Sequence, residues 1–143
     1  MDEVIVKFKG RVIFRQYVPK KRKRFSIKIY KLSNEAEYTH DMSVYLGRDS
    51  HSATDDMTAM HATVRHLTSR AEGLGHKIFM DNFFSSPKLF NDLERHKIYS
   101  CGTVRPNRRD MPCDFGPKQL KLKRGDIRVR TRGGLTALVW RDR

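Results

Sequence analysis

The run Ile78-Phe79-Met80-Asp81-Asn82-Phe83-Phe84-Ser85-Ser86-Pro87 constrains the fold of this chain more than any other. An apolar strand ends on a carboxylate, and a helix start follows almost at once. Ser85 or Ser86 can cap that helix, and Pro87 suits its first position, where a missing N–H costs nothing. A charge that closes a buried strand is costly unless it is paired, hydrogen-bonded or bound to a metal. Asp81 is therefore a candidate site residue on physical grounds. The plainer reading is a strand-end carboxylate that caps the turn after it. A second acidic pair, Asp2-Glu3, opens another apolar strand, and Asp2 is either a second such ligand or a frayed terminal residue.

Hydrophobic period organises the rest. Val4, Val6 and Phe8 alternate over residues 3–8 and predict a strand, and the extended pattern resumes from Val12 to Pro19. Phe25, Ile27 and Ile29 alternate with Ser26, Lys28 and Tyr30, which predicts a half-buried second strand. Residues 38–45 give a third, so an antiparallel meander is expected. The period then becomes helical, with Met57, Met60, Val64, Leu67 and Ala71 as the buried stripe, Asp55 or Asp56 as N-cap, and Gly73 and Gly75 as the stop. Residues 76–80 form a strand, Leu89, Phe90 and Leu93 stripe a second helix, and residues 98–104 form another strand. Beyond a loop at 107–116, residues 120–130 and 135–140 predict two strands around Gly133-Gly134. The order implies an α/β sheet in which a meander is followed by βαβ crossovers.

The chain of 143 residues is long enough for one ordinary domain. Its formal charge of +14, from 30 Lys and Arg against 16 Asp and Glu, favours nucleic acid through phosphate neutralisation and counterion release. Cys101 and Cys113 show no CxxC spacing, which suits a reduced intracellular protein. His61, His66, His76 and His96 lack metal-ligand spacing and are expected on the surface or on helix faces. No signal peptide is visible and no apolar run approaches a membrane span, so a soluble protein with no membrane partner is expected.

Several segments, in order, resemble piggyBac transposases. Asp2-Glu3-Val4-Ile5-Val6-Lys7-Phe8-Lys9-Gly10-Arg11 is similar to that family's DEQ…F-[KR]-G-R segment. Tyr17-Val18-Pro19 with Phe25-Ser26-Ile27-Lys28 is similar to the next, and Tyr45-Leu46-Gly47 to its YLG motif. Met80-Asp81-Asn82-Phe83-Phe84-Ser85-Ser86 resembles the DN[FW][FY][TS]S signature, and Cys101-Gly102-Thr103-Val104-Arg105-Pro106-Asn107-Arg108 the GT[VL]R.NR motif. Val4 departs from the family's usual Gln or Met.

The resemblance implies a ribonuclease-H-like fold of the DDE transposase and integrase type: a mixed sheet with flanking helices. A partial catalytic core over residues 1–110 and the start of a β-rich insertion over 111–143 are expected. It also implies that Asp2 and Asp81 are the first two acids of a catalytic Asp triad and act as Mg²⁺ ligands. Two-metal phosphoryl transfer needs carboxylates that hold the ions about 4 Å apart. Parallel neighbouring strands would bring Asp2 and Asp81 together. Asp126 and Asp142 lie before the place where the family's third acid falls, and neither matches it.

A fragment of a DDE transposase, DNA as partner and the nucleus as location are the expectations. Intact members of the family act as oligomers. The implied activity is DNA strand cleavage and transfer, and the chain is expected to be inactive alone because the third ligand has no counterpart in it. The other reading is a domesticated, non-catalytic DNA or chromatin binding module. Lys20, Lys21, Arg22, Lys23 and Arg24 fit a phosphate-binding turn, a nuclear localisation element or a solvated hairpin tip. Arg105, Asn107, Arg108 and Arg109 are either DNA-backbone contacts or a basic connecting loop. Trp140 is expected to pack against the insertion.

Overall fold

The computed structural model describes residues 1–19, 24–47, 57–116 and 120–142. Two compact units divide between Glu72 and Gly73. The residues expected to begin an insertion thus share a unit with the strand that ends beside Asp81. No helix among the described residues is long and apolar enough to cross a membrane.

The first unit is built on one long strand. β3 (Phe25–Ser33) pairs antiparallel with β1 (Asp2–Lys7), from Asp2 opposite Lys31 to Lys7 opposite Ser26. β4 (Thr39–Val44) also pairs with β3, from Ile29 opposite Val44 to Leu32 opposite Asp41. A two-residue strand, β2 (Gln16–Tyr17), reaches only Phe25 and Ser26. Aromatic and β-branched side chains suit such a half-covered pleat. The expected meander is present, with β2 as an added short strand where a longer extended segment was predicted. A turn from Val12 to Arg15 interrupts that segment, with Arg15 N donating to the Val12 carbonyl at 3.2 Å.

The covered face is the one opposite to expectation. Val4 and Val6 are 37% and 43% exposed, whereas Tyr30 is 2% and Ser26 0% exposed on the other face. Aromatic bodies and an aliphatic stem supply the cover there. The Tyr30 and Tyr45 rings meet edge-on at 6.1 Å. The Lys28 ammonium lies 5.1 Å from the Tyr30 ring and 5.5 Å from the Tyr45 ring. Amphipathic side chains bury their bodies while their polar ends find partners.

α1 (Ala59–Thr68) packs on β3 and β4 through Val64 and Leu67. Its cap is Thr58, whose hydroxyl accepts from His61 N at 3.3 Å. Asp55 and Asp56, expected to cap it, lie outside the described residues. His61, expected on the surface or on a helix face, lies on the buried face of α1. Thr63 and Thr68 are buried too, and each hydroxyl donates back to a helix carbonyl, at Ala59 and Val64, both 2.9 Å away. That satisfies groups which would otherwise be costly to bury. Met60 is only half-buried. After a short 3₁₀ turn (Ser69–Ala71), Gly73 and Gly75 adopt φ of +75° and +70° and end the helical path.

In the second unit β5 (Lys77–Met80) and β6 (Tyr99–Gly102) are parallel, joined by α2 (Pro87–Arg95). This is the βαβ crossover the sequence predicts. Ser86 caps α2 by accepting from Leu89 N at 3.3 Å, and Pro87 follows it. Ile78, Met80, Phe84, Leu89, Leu93 and Ile98 form the core. β7 (Ile127–Arg132) and β8 (Leu135–Trp140) form an antiparallel hairpin. β7 begins later than expected, because Asp126 closes a turn by accepting from Lys123 N at 2.8 Å. Gly134 lies so close to the Glu94 carboxylate that a Cβ there would collide with it. The hairpin's inner face is tied by Asp114, whose carboxylate pairs with Arg130 at 2.6 Å. Trp140, expected to pack, is 58% exposed beside Ile127 and Leu138, which are also exposed. The mixed α/β class is as expected, with the ladders of the described residues divided among three sheets.

Candidate functional site

Asp81 follows directly on β5, whose inward side chains Ile78 and Met80 are buried. The carboxylate itself is exposed. The expected penalty for a charge at a buried strand end therefore does not arise: the alternation that turns Ile78 and Met80 inward leaves Asp81, the next residue, in solvent. Asp81 Oδ1 accepts from Phe83 N at 3.0 Å, which is a local turn cap. The Asp81 carbonyl accepts from Ser85 N at 3.2 Å and from the Ser85 hydroxyl at 2.7 Å. Ser85 is fully buried and locks this tight loop from beneath. From its place in the sequence Ser85 is expected only as an alternative helix cap. Its buried position between Phe84 and the α2 cap is what gives it this other role.

The second motif grips the first. Gly102 lies opposite Met80 in the parallel pair. A Cβ on it would strike the Met80 carbonyl oxygen and approach the Ser85 hydroxyl to 2.7 Å. Arg105 Nε donates to Asn82 Oδ1 at 3.2 Å. Arg108 Nη2 donates to the carbonyls of Asn82 and Phe83 at 3.4 and 3.2 Å. Arg105 and Arg108, two of the four candidate DNA contacts in the 105–109 segment, are thus engaged with the Asp81 loop. The side chains of Asn107 and Arg109 are exposed.

Asp2 opens β1 in the first unit, exposed, with Oδ1 accepting from Glu3 N at 2.7 Å. Next to it, Glu3 pairs with Lys28 at 2.8 Å. Burial pushes the Lys28 pKa down, but the Glu3 hydrogen bond and the charges of Tyr30 and Glu3 outweigh it and leave it raised. The Tyr30 pKa is raised, chiefly by burial, against the lowering effect of Lys28. Asp2 and Asp81 stand in different units.

Both carboxylates present one oxygen to a backbone N–H and stay exposed, a hard-oxygen arrangement that fits a hydrated divalent ion. Mg²⁺ keeps several waters and needs only one or two protein carboxylates. Among the described residues no three His, Cys, Asp or Glu side chains cluster as a metal group. Of the basic turn, Lys20, Lys21, Arg22 and Lys23 lie outside the described residues, and Arg24 is exposed. A groove of about 1080 Å³ between α2 and the β7–β8 hairpin does not include Asp81.

The family described as Transposase IS4 matches residues 1–143, the whole chain. The chain belongs to this transposase family. A solved structure of a piggyBac transposase, a cryo-EM synaptic complex with hairpin DNA, matches with a TM-score of 0.86 at 29% identity. That match covers 99% of this chain and 30% of the other. The piggyBac resemblance read from the five motifs is borne out, and the chain spans about a third of that relative's length.

Proposed function

We propose that this transposase-family chain carries part of a ribonuclease-H-like DDE core that acts on DNA in the nucleus, with Asp2 and Asp81 as its metal-binding carboxylates. The observation that carries the reading is Asp81: an exposed carboxylate at the end of the half-buried strand β5, inside the family motif, on a loop locked by Ser85 and Gly102. The structural match of 99% of this chain to part of a piggyBac transposase in a DNA complex supports it. In the family reaction a hydroxyl oxygen attacks a phosphodiester phosphorus, the bond to the leaving strand's oxygen breaks, and that oxygen takes a proton. A divalent ion held by the carboxylates would supply charge stabilisation for the attacking and leaving oxygens. The chain's own contribution is to orient Asp81 and to place cationic side chains near phosphates.

With two such carboxylates recognised in its sequence, the chain alone is proposed to bind metal and DNA but to cleave negligibly. Incubation with supercoiled plasmid and Mg²⁺ tests this. Nicking by the purified chain that disappears in Asp81→Asn would overturn the claim of inactivity. The charge of +14 favours a second reading, a non-catalytic DNA or chromatin binding module. DNA affinity indifferent to Asp2→Asn and Asp81→Asn, but weakened by neutralising residues 20–24, would favour it.

A further inference from the structure

The loop that carries Asp81 is fastened by side chains 23 to 26 residues further along the chain. The Asn82 carbonyl, which accepts from Arg108, belongs to the same planar peptide unit as Phe83 N–H, which donates to Asp81 Oδ1. A rigid peptide therefore connects guanidinium and carboxylate, and turning one end turns the other. Arg105 holds the Asn82 side chain, so the same residue is gripped at its backbone and at its amide. Guanidinium suits this task because its donors are fixed in a plane and always charged, which strengthens each hydrogen bond. A lysine would supply the charge without the fork.

We propose that Arg105 and Arg108 are positioning residues for the Asp81 carboxylate, acting through the Asn82–Phe83 peptide. Their role is to fix which carboxylate oxygen is occupied by the Phe83 N–H, leaving the other directed at a metal ion. The metal half of this inference rests on the proposed function of Asp81; the tether itself does not.

The test uses the full 143-residue chain, with amide hydrogen exchange at Phe83 and Ser85 and the affinity for Mn²⁺ alone read from water-proton relaxation. Arg108→Ala is expected to speed Phe83 exchange about tenfold, as loss of a charge-assisted hydrogen bond does. Amides within β5 and α2 should keep their rates. Mn²⁺ affinity should fall about tenfold, the usual effect of losing a group that orients a ligand. Arg105→Ala and Asn82→Ala should act in the same direction. Arg124→Ala, which removes an equal charge from the same unit, should change neither readout.

Arg108→Lys separates geometry from charge: it should behave like the alanine variant in both readouts, and full rescue by lysine would overturn the proposal. Unchanged Phe83 exchange in Arg105→Ala and Arg108→Ala would overturn it as well. Should the alanine variants unfold, Arg108→Lys carries the test alone. Equal Mn²⁺ affinity in the wild-type chain and Asp81→Asn would sink the metal reading, and exchange would then decide the tether by itself.

Discussion

Gly102 sits opposite Met80 across the parallel β5–β6 pair with no room for a side chain, because the Met80 carbonyl oxygen occupies the place a Cβ would take. The obstacle is backbone, so it cannot swing aside as a flexible side chain would. Gly102→Ala is expected to cost about 1–3 kcal/mol, the usual range for overpacking. Urea denaturation of the two chains measures it. An unchanged midpoint would mean that the strands separate at no cost.

The two serines before α2 act differently, and their variants should show it. Ser86 accepts from Leu89 N as the helix cap, and Ser86→Ala should destabilise by about 1 kcal/mol, with Ser86→Gly milder. Ser85 donates to the Asp81 carbonyl from a fully buried position. Ser85→Ala should cost about 1 kcal/mol and, unlike Ser86→Ala, should also speed hydrogen exchange at Phe83. Denaturant midpoints combined with exchange rates separate the two.

The Lys28, Glu3 and Tyr30 cluster predicts alkaline lability. Folding raises the Lys28 pKa above its ordinary 10.5 and the Tyr30 pKa above its ordinary 10.0. Near and above pH 10 the folded chain therefore holds more protons than the unfolded one, and stability falls as pH rises. The contribution is complete below about pH 10 and is lost as pH climbs through the folded values. Glu3→Gln removes the Glu3 charge that, together with Tyr30, raises Lys28, so the loss of thermal stability between pH 9.5 and 11.5 should become shallower. A steeper loss in that variant would contradict the assignment.

DNA affinity should fall steeply and linearly with the logarithm of salt concentration, with a slope near −0.9 for each phosphate neutralised on duplex DNA. Arg109 has an exposed side chain. Arg109→Ala should reduce the slope by about 1 with little change in sequence preference, if it meets a phosphate. Fluorescence anisotropy at several salt concentrations gives the slope directly. An unaltered slope would remove Arg109 from the interface.

Local chemistry was readable along the chain. The period-2 stretches located β1, β3 and β4, and the Ser86-Pro87 pair located the start of α2, because strand pleat and helix capping are decided within a few residues. The position of Asp81 beside a strand end was legible for the same reason. Its solvation was not. Hydrophobic alternation shows that a strand has two faces, but which face is covered depends on residues distant in sequence, and Tyr45 and α1 reversed the expectation for Val4 and Val6. His61 entered the core on the same grounds, because α1 turns it inward.

The sequence by itself determined the family and the order of elements, since each is written in short patterns of side chains that keep their meaning without long-range contacts. Only the tertiary structure decided that the later motif serves the earlier one. Gly102, Arg105 and Arg108 reach the Asp81 loop because parallel pairing of β5 and β6 places their ends side by side. A basic run read in isolation looks like a surface for phosphate; its hydrogen bonds depend on which carbonyls the fold brings within reach.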